Sequence, residues 1–443
     1  MLSVARNWSA VVSARCSYDF QESRSATTQF ASTGLFLAAL GIRPVVDALR
    51  TTAIQTEPAC GPPKGSGVSD LERNLVMATL TTGPVGIGDM IGGTNLTLLN
   101  RALRSDGVIL KPGFAAHRLD NFYMDTANTN TNTSTSTSTS TCRKAEVWSA
   151  PTVPARTNSS ARHDRRANSM ARLFPLTGSG RVRNRSASTR DLWWYSLLLW
   201  DLSESNCSIT PAQLSPPALS SHGYVVSRFG KPCKDGAAAA SCVKAFIEET
   251  SPLDVATTTS QTGRATDIRL HQVAPVLPGG WVLLGEQSKY VAVSPQRFMS
   301  ARVSGSSAAA AAAAAVDDAS GGARDALSDA LSDDELLYNG GMGDDNLVLG
   351  FTVLGEPGET VDVAVICPSP VSTGTPPIST GTPPVSTGTP EVTVQDQSGI
   401  EVKQRGVVTV LQVVVGAAGQ SKVECAPGKP KVCQQVAVHN VVE

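Results

Sequence analysis

The 443-residue chain lacks several features that would place it at once. It has no apolar run of eighteen residues, so no transmembrane helix is expected. It has no Cys-x-x-Cys, which argues against a zinc ribbon or a thioredoxin-type centre. Its five histidines, His117, His163, His222, His271 and His439, are scattered, and none pairs at metal-ligand spacing. No Gly-x-Ser-x-Gly elbow is present for a serine hydrolase. Net charge is −1, so nothing global points to nucleic acid or to acidic lipid. Nine cysteines are too few, in a chain of this length, for a disulfide-stapled scaffold. Two pairs could each bridge a hairpin, Cys425 with Cys433 across APGKPKV and Cys233 with Cys242; free thiols are the other reading.

What is present is uneven. Globular stretches alternate with low-complexity ones, and the composition sets a division. Residues 1–125 read as an α/β region. Residues 126–145 form a linker around TANTNTNTSTSTSTST. Residues 146–300 read as an antiparallel β region interrupted by a basic insertion at 152–190, expected to be disordered. That insertion suggests either an exposed segment or, with Arg but few stacking aromatics, a nucleic-acid contact. Residues 301–345 are an Ala-rich and acidic linker, and 346–443 a second β region carrying a Pro/Thr repeat at 368–391.

Within the first region, FASTGLFLAALGI (30–42) predicts a buried helix ending near Gly41. SDLERNLVMATL (69–80) predicts a second, with Ser69 and Glu72 as a capping box. NLTLLNRALRS (95–105) predicts a third, with Leu96, Leu99 and Leu103 on one face, followed by a short strand at VIL (108–110). Further on, DLWWYSLLLWDL (191–202) predicts a buried strand, and the spacing of later strand signals predicts an antiparallel sandwich.

The stretch LTTGPVGIGDMIGGTN (80–95) invites three readings. A dinucleotide turn would need a third glycine where Ile91 stands, and a phosphate loop would need Lys-Ser/Thr. A barrel-strand end with a carboxylate remains, as does a plain turn. GGMGDDNLV (340–348) matches the calcium nonapeptide, but one copy builds no ligand cage. Six Asn-x-Ser/Thr sequons occur, at Asn7, Asn95, Asn132, Asn158, Asn184 and Asn206; they matter if the chain is secreted. The N-terminus carries Arg6 and Arg15, several serines and no acid, and weakly resembles a transit peptide.

Four pieces in order resemble the late barrel strands of the raffinose synthase and alkaline α-galactosidase type of glycoside hydrolase. SARCSYDF (13–20) is similar to the family's Arg-x-Ser-x-Asp-Phe strand end. STGLFLAALGIRPVVDAL (32–49) resembles the following helix and loop, and MATLTTGPVGIGD (77–89) a late strand with its terminal Asp. NLTLLNRALRSDGVILKP (95–112) resembles the run after that, and KAEVWSAP (144–151) the entry into a β-domain. The fold implied is the late part of a (β/α)8 barrel, incomplete, followed by an antiparallel β-sandwich region with disordered insertions.

On this resemblance Asp19 takes the place of the general acid/base, and Asp89 and Arg15 that of substrate-binding residues. Tyr18 stands where the family has the first Asp of an Asp-Asp pair. Retaining cleavage needs two carboxylates about 5–5.5 Å apart. The family's nucleophile lies on an earlier strand in Lys-x-Asp, which this chain begins too late to include. The expectation is therefore a protein related to α-galactosyl hydrolases and transferases, inactive as this chain, and a retaining enzyme if part of a longer one. The partner implied is an α-galactoside-like carbohydrate, with no cofactor, no metal, no nucleic acid and no membrane span. The alternative is a non-catalytic carbohydrate-binding or cell-wall-associated structural glycoprotein, in which the STGTPP repeats act as a spacer.

Overall fold

A computed structural model describes residues 11–16, 33–46, 48–52, 71–119, 146–154, 192–200, 208–214, 223–230, 243–247, 253–254, 268–305, 347–368, 393–395, 401–403, 406–415, 420–425 and 433–436. Strands in antiparallel sheets dominate, and helices are few. Residues 126–145, 155–190, 306–345 and 369–391 lie outside the described residues, but the edges drawn from composition were too wide. Thr152, assigned to the disordered insertion, is buried at the end of a strand, residues 301–305 continue a strand into the Ala-rich linker, and Pro368 ends another.

The first region is different in kind. Strand β1 (Ser13–Arg15) pairs in parallel with β2 (Arg43–Val45), and helix α1 (33–39) lies between them in the chain. Leu49 then bridges Ile87 in parallel, and α2 (Leu71–Leu80) lies between those two. The result is three parallel segments, near 13–16, 43–51 and 83–89, with the middle one flanked by both others. Backbone bonds extend the pairing: Cys16 N–H to Val45 O at 2.9 Å, Leu49 N–H to Gly86 O at 2.8 Å and Gly88 N–H to Leu49 O at 2.7 Å. Gly83 makes the close approach possible, since a Cβ there would stand 1.7 Å from the Pro44 carbonyl oxygen.

Helix α1 ends as its sequence suggests. Gly41 has φ +73° and returns its N–H to Ala38 O, while Ile42 returns to Leu37 O. It is not buried all round: Leu37 is fully covered, but Phe36 and Leu40 are 46% and 41% exposed. Helix α2 is buried along nearly its whole length from Arg73 to Leu80. Its proposed cap, Ser69, lies outside the described residues. The third helix is shorter than its leucine spacing predicts. Helix α3 covers Leu96–Leu99 and stops. Leu103 instead bridges Ile109, and Leu110 N–H bonds Ala102 O, forming a hairpin around Gly107 at φ +82°. The turn is held by Arg104 and Asp106, whose side chains pair. Tertiary pairing has overridden helical periodicity here.

Beyond residue 116 the strands are β3 (His117–Arg118), β4 (Glu146–Thr152), β5 (Trp194–Trp200), β6 (Ser208–Ile209), β7 (Tyr224–Arg228), β8 (Val243–Ile247), β9 (Leu253–Asp254) and β10 (Arg269–Pro275). Six of them form one antiparallel sheet in the order β3-β4-β5-β10-β7-β8. Strand β5 is internal and Trp194 through Leu199 are buried, so the middle of the WWYSLLLW stretch is core as expected, with Trp193 half-buried at its start. Trp194 fixes its indole by donating to Leu283 O at 2.9 Å.

Strands β11 (Val282–Gly285), β12 (Phe298–Gly305), β13 (Leu347–Leu354), β14 (Thr360–Pro368), β15 (Thr393–Gln395), β16 (Glu401–Lys403), β17 (Gly406–Val414), β18 (Gln420–Cys425) and β19 (Cys433–Val436) complete the chain. They build a three-stranded sheet, β11-β14-β17, a four-stranded sheet, β12-β13-β18-β19, and a separate β15-β16 pair. Val361, Val363 and Val365 from one large sheet share a core with Leu349, Phe351 and Val353 from the other. Strands β11 and β12 precede the Ala-rich stretch in sequence yet pair with strands that follow it.

Candidate functional site

The parallel segments all run the same way, so their C-terminal ends lie together. That end carries Arg15 and Cys16, then Arg50 and Thr51, then Asp89. It is the end where function gathers in parallel α/β folds.

Asp89 is half-buried and its carboxylate is engaged. One oxygen accepts the Thr51 backbone N–H at 2.8 Å and the other accepts the Thr51 hydroxyl. Thr51 is fully buried, and its Oγ1 in turn accepts the Asn95 backbone N–H at 2.8 Å. Asn95 caps α3, its Oδ1 accepting Leu98 N–H at 3.1 Å. A chain of hydrogen bonds thus runs from Asp89 through Thr51 to Asn95. It ties the ends of two parallel segments to the start of a helix. A carboxylate so held has a fixed orientation.

Arg15 is exposed at the end of β1, and Arg50 is exposed beside Thr51. Asp19, the expected acid/base, lies outside the described residues. Cys16, next to Arg15, is no nucleophile. It is buried, its Sγ lies 3.2 Å from Val45 O, and burial pushes its thiol up to about 12.

The opposite, N-terminal end is differently built. Lys111 donates to Thr82 O at 3.2 Å and to Gly83 O, carbonyls just past the end of α2. Burial, helped by the charge of Arg43, pushes its ammonium down to about 8. Thr82 accepts this arrangement at φ 67°, a strained backbone for a β-branched residue. This end fastens helix to strand.

The densest buried charge cluster lies elsewhere again. Arg297, fully buried, donates to Glu286 at 2.8 Å and in bidentate fashion to Glu359 at 2.9 and 2.7 Å. It also donates to Leu354 O at 2.8 Å. Glu359 further accepts Ser105 N–H at 3.3 Å, joining this cluster to the first region. Lys289, 3.7 Å from Glu286, supplies the second positive charge, so two cations face two carboxylates and the cluster reads as a structural clamp. A cavity of about 10 Å³ near Ser196 and Gln272 has room for a single water. Among the described residues no group of three or more His, Cys, Asp and Glu side chains is placed to hold a metal ion.

Sequence reasoning placed Asp89 and Arg15 at strand ends, and the structure sets both at the C-terminal end of the parallel segments. It missed Thr51 and Arg50. The Arg-Thr-Thr run carries no motif, and its role emerges from pairing between segments that are 38 residues apart. No helix among the described residues is long and apolar enough to cross a membrane. No protein-family model matches the chain, and no curated protein matches it either.

Proposed function

We propose that this chain recognises carbohydrate at the C-terminal end of its parallel segments, on late elements of a (β/α)8-type scaffold related to α-galactosyl hydrolases and transferases. The observation that carries the reading is the strand–helix–strand–helix–strand order of parallel segments with Asp89 oriented at their C-terminal end. Carboxylates at such an end accept hydrogen bonds from sugar hydroxyls, and exposed guanidinium groups beside them donate. Asp89 and Arg15 serve as binding residues, with Asp19 as the acid/base of an ancestral retaining reaction. Cleavage needs a second carboxylate at about 5–5.5 Å. Asp89 does not supply it, because both of its oxygens are engaged by Thr51. Binding without turnover is the activity assigned to these residues.

Titration calorimetry of the full chain with raffinose and melibiose, beside an assay with a chromogenic α-galactoside, tests this. Saturable binding without hydrolysis is expected, weakened about tenfold or more by Arg15→Ala, the loss of one hydrogen bond from a charged group. Turnover by the chain alone would mean that it holds a complete catalytic pair. Absence of binding to any α-galactoside would remove the reading.

A second reading is favoured by one specific observation, the disulfide at Cys425. Its partner in the strand register is Cys433, across the hairpin of β18 and β19. Disulfides persist in secreted and wall-exposed proteins. They suit a cell-wall-associated glycoprotein in which the β-domains scaffold and the STGTPP repeats space them.

A further inference from the structure

We infer that Asn95 is an N-glycosylation site, modified by an oligosaccharide carried on a lipid diphosphate. The inference rests on the second reading for one premise, entry into an oxidising secretory compartment. The choice of site rests on local geometry.

Asn95-Leu96-Thr97 is a complete sequon, and all three residues are exposed. The other five sequons lie outside the described residues. The Asn95 side chain divides its two ends between different tasks. Its Oδ1 caps α3 by accepting Leu98 N–H, while its backbone N–H is spent on Thr51. No described group bonds Nδ2, which stands at an exposed position. Glycosylation replaces one hydrogen on Nδ2 and leaves Oδ1 an acceptor, so the cap survives modification. In the transfer, Nδ2 forms a bond to C1 of the first sugar. The bond from C1 to the phosphate oxygen breaks, the lipid diphosphate leaves with the electron pair, and the nitrogen gives one proton to the transferase base.

The surroundings fit a sugar cover. Ile91 is fully exposed and Leu96 is 67% exposed, and both sit within four residues of Asn95. A glycan on Asn95 would shield exposed apolar side chains close to it in sequence. The thiol inventory agrees with the compartment: Cys425 is bonded, and the free cysteines among the described residues, Cys16 and Cys367, are both buried.

The test begins with the full protein isolated from the cells that make it. The peptide carrying Asn95 is obtained by protease digestion, stripped of its glycan by an amidase in heavy-oxygen water and read by mass spectrometry, together with the redox state of Cys425. The expected result is a glycan on Asn95, seen as conversion of that Asn to heavy-labelled Asp. In secretory expression, Thr97→Ala removes that glycan, and so does Asn95→Asp, which keeps the helix cap and so separates loss of the sugar from loss of the fold. The enzymatically stripped protein should bind more of a hydrophobic dye. Oxidised Cys425 with a bare Asn95 would overturn the inference and leave the secreted reading standing. A Cys425 thiol in protein recovered from a reducing compartment would overturn both.

Discussion

A single buried guanidinium shows how much of this molecule is settled residue by residue. Arg297 contacts Glu286, Glu359 and a backbone carbonyl from a position without solvent. Removing it by Arg297→Met leaves two carboxylates close together in a covered site. A loss of about 3–5 kcal/mol in chemical unfolding is expected. The pH dependence has a definite sign. Burial works to raise the Glu359 carboxyl, but the hydrogen bonds and charge of Arg297 overcome it and hold the group at about 2, against an ordinary 4.5. A carboxyl lowered in the folded state stabilises above its unfolded value and ceases to do so as pH falls through its folded value. The stability gap between the native chain and Glu359→Gln should therefore be full above about pH 4.5 and close toward pH 2. A gap that stayed constant over that range in acid unfolding curves would refute the pairing.

At the scale of elements, the parallel segments depend on two close fits. One is the Gly83 backbone against Pro44, where Gly83→Ala would drive a methyl into a carbonyl oxygen at 1.7 Å. The other is Thr51, which serves Asp89 and Asn95 together. Thr51→Val keeps the shape and removes both hydroxyl bonds, so a destabilisation of about 1–3 kcal/mol is expected from the groups left unpaired. Thermal melts of Thr51→Val and Thr51→Ser check it, with the serine variant recovering most of the loss. The pattern of residues 95–105 shows what element-level reading misses. Leucines at helical spacing were legible, but the partner that drew Leu103 into a hairpin was Ile109, reached through the turn at Gly107. Periodicity reports which residues prefer burial; it does not report which neighbour will bury them.

At the scale of the whole molecule, the α/β region and the sheets are joined by a seam. Lys289 donates to the Asn100 and Leu103 carbonyls at 2.6 and 2.7 Å, and Tyr290 N–H to Arg101 O at 2.9 Å. Arg104 donates to Gln296 O at 2.7 Å, and Ser294 to Lys111 O at 2.8 Å. The tyrosine hydroxyl also reaches Glu72 on α2 at 3.2 Å. With so many bonds across the seam, the two parts should unfold together. Tryptophan fluorescence, to which Trp148, Trp194 and Trp200 in the strands contribute, should trace the same urea transition as the helical circular dichroism signal. Two separated transitions would show that the seam is weak.

Sequence alone determined the alternation of globular and low-complexity stretches, the identity of most buried strands and the turn glycines, because these depend on composition and short-range periodicity. The middle of WWYSLLLW, Trp194 through Leu199, was readable as core since no solvated strand tolerates so many apolar residues. Tertiary structure alone decided the partners. That Asp89 leans on Thr51, that β11 and β12 join strands beyond the Ala-rich stretch, and that Arg297 collects two glutamates 11 and 62 residues away follow from pairings between distant segments. Such pairings are selected by packing of the whole chain, and no local pattern records them.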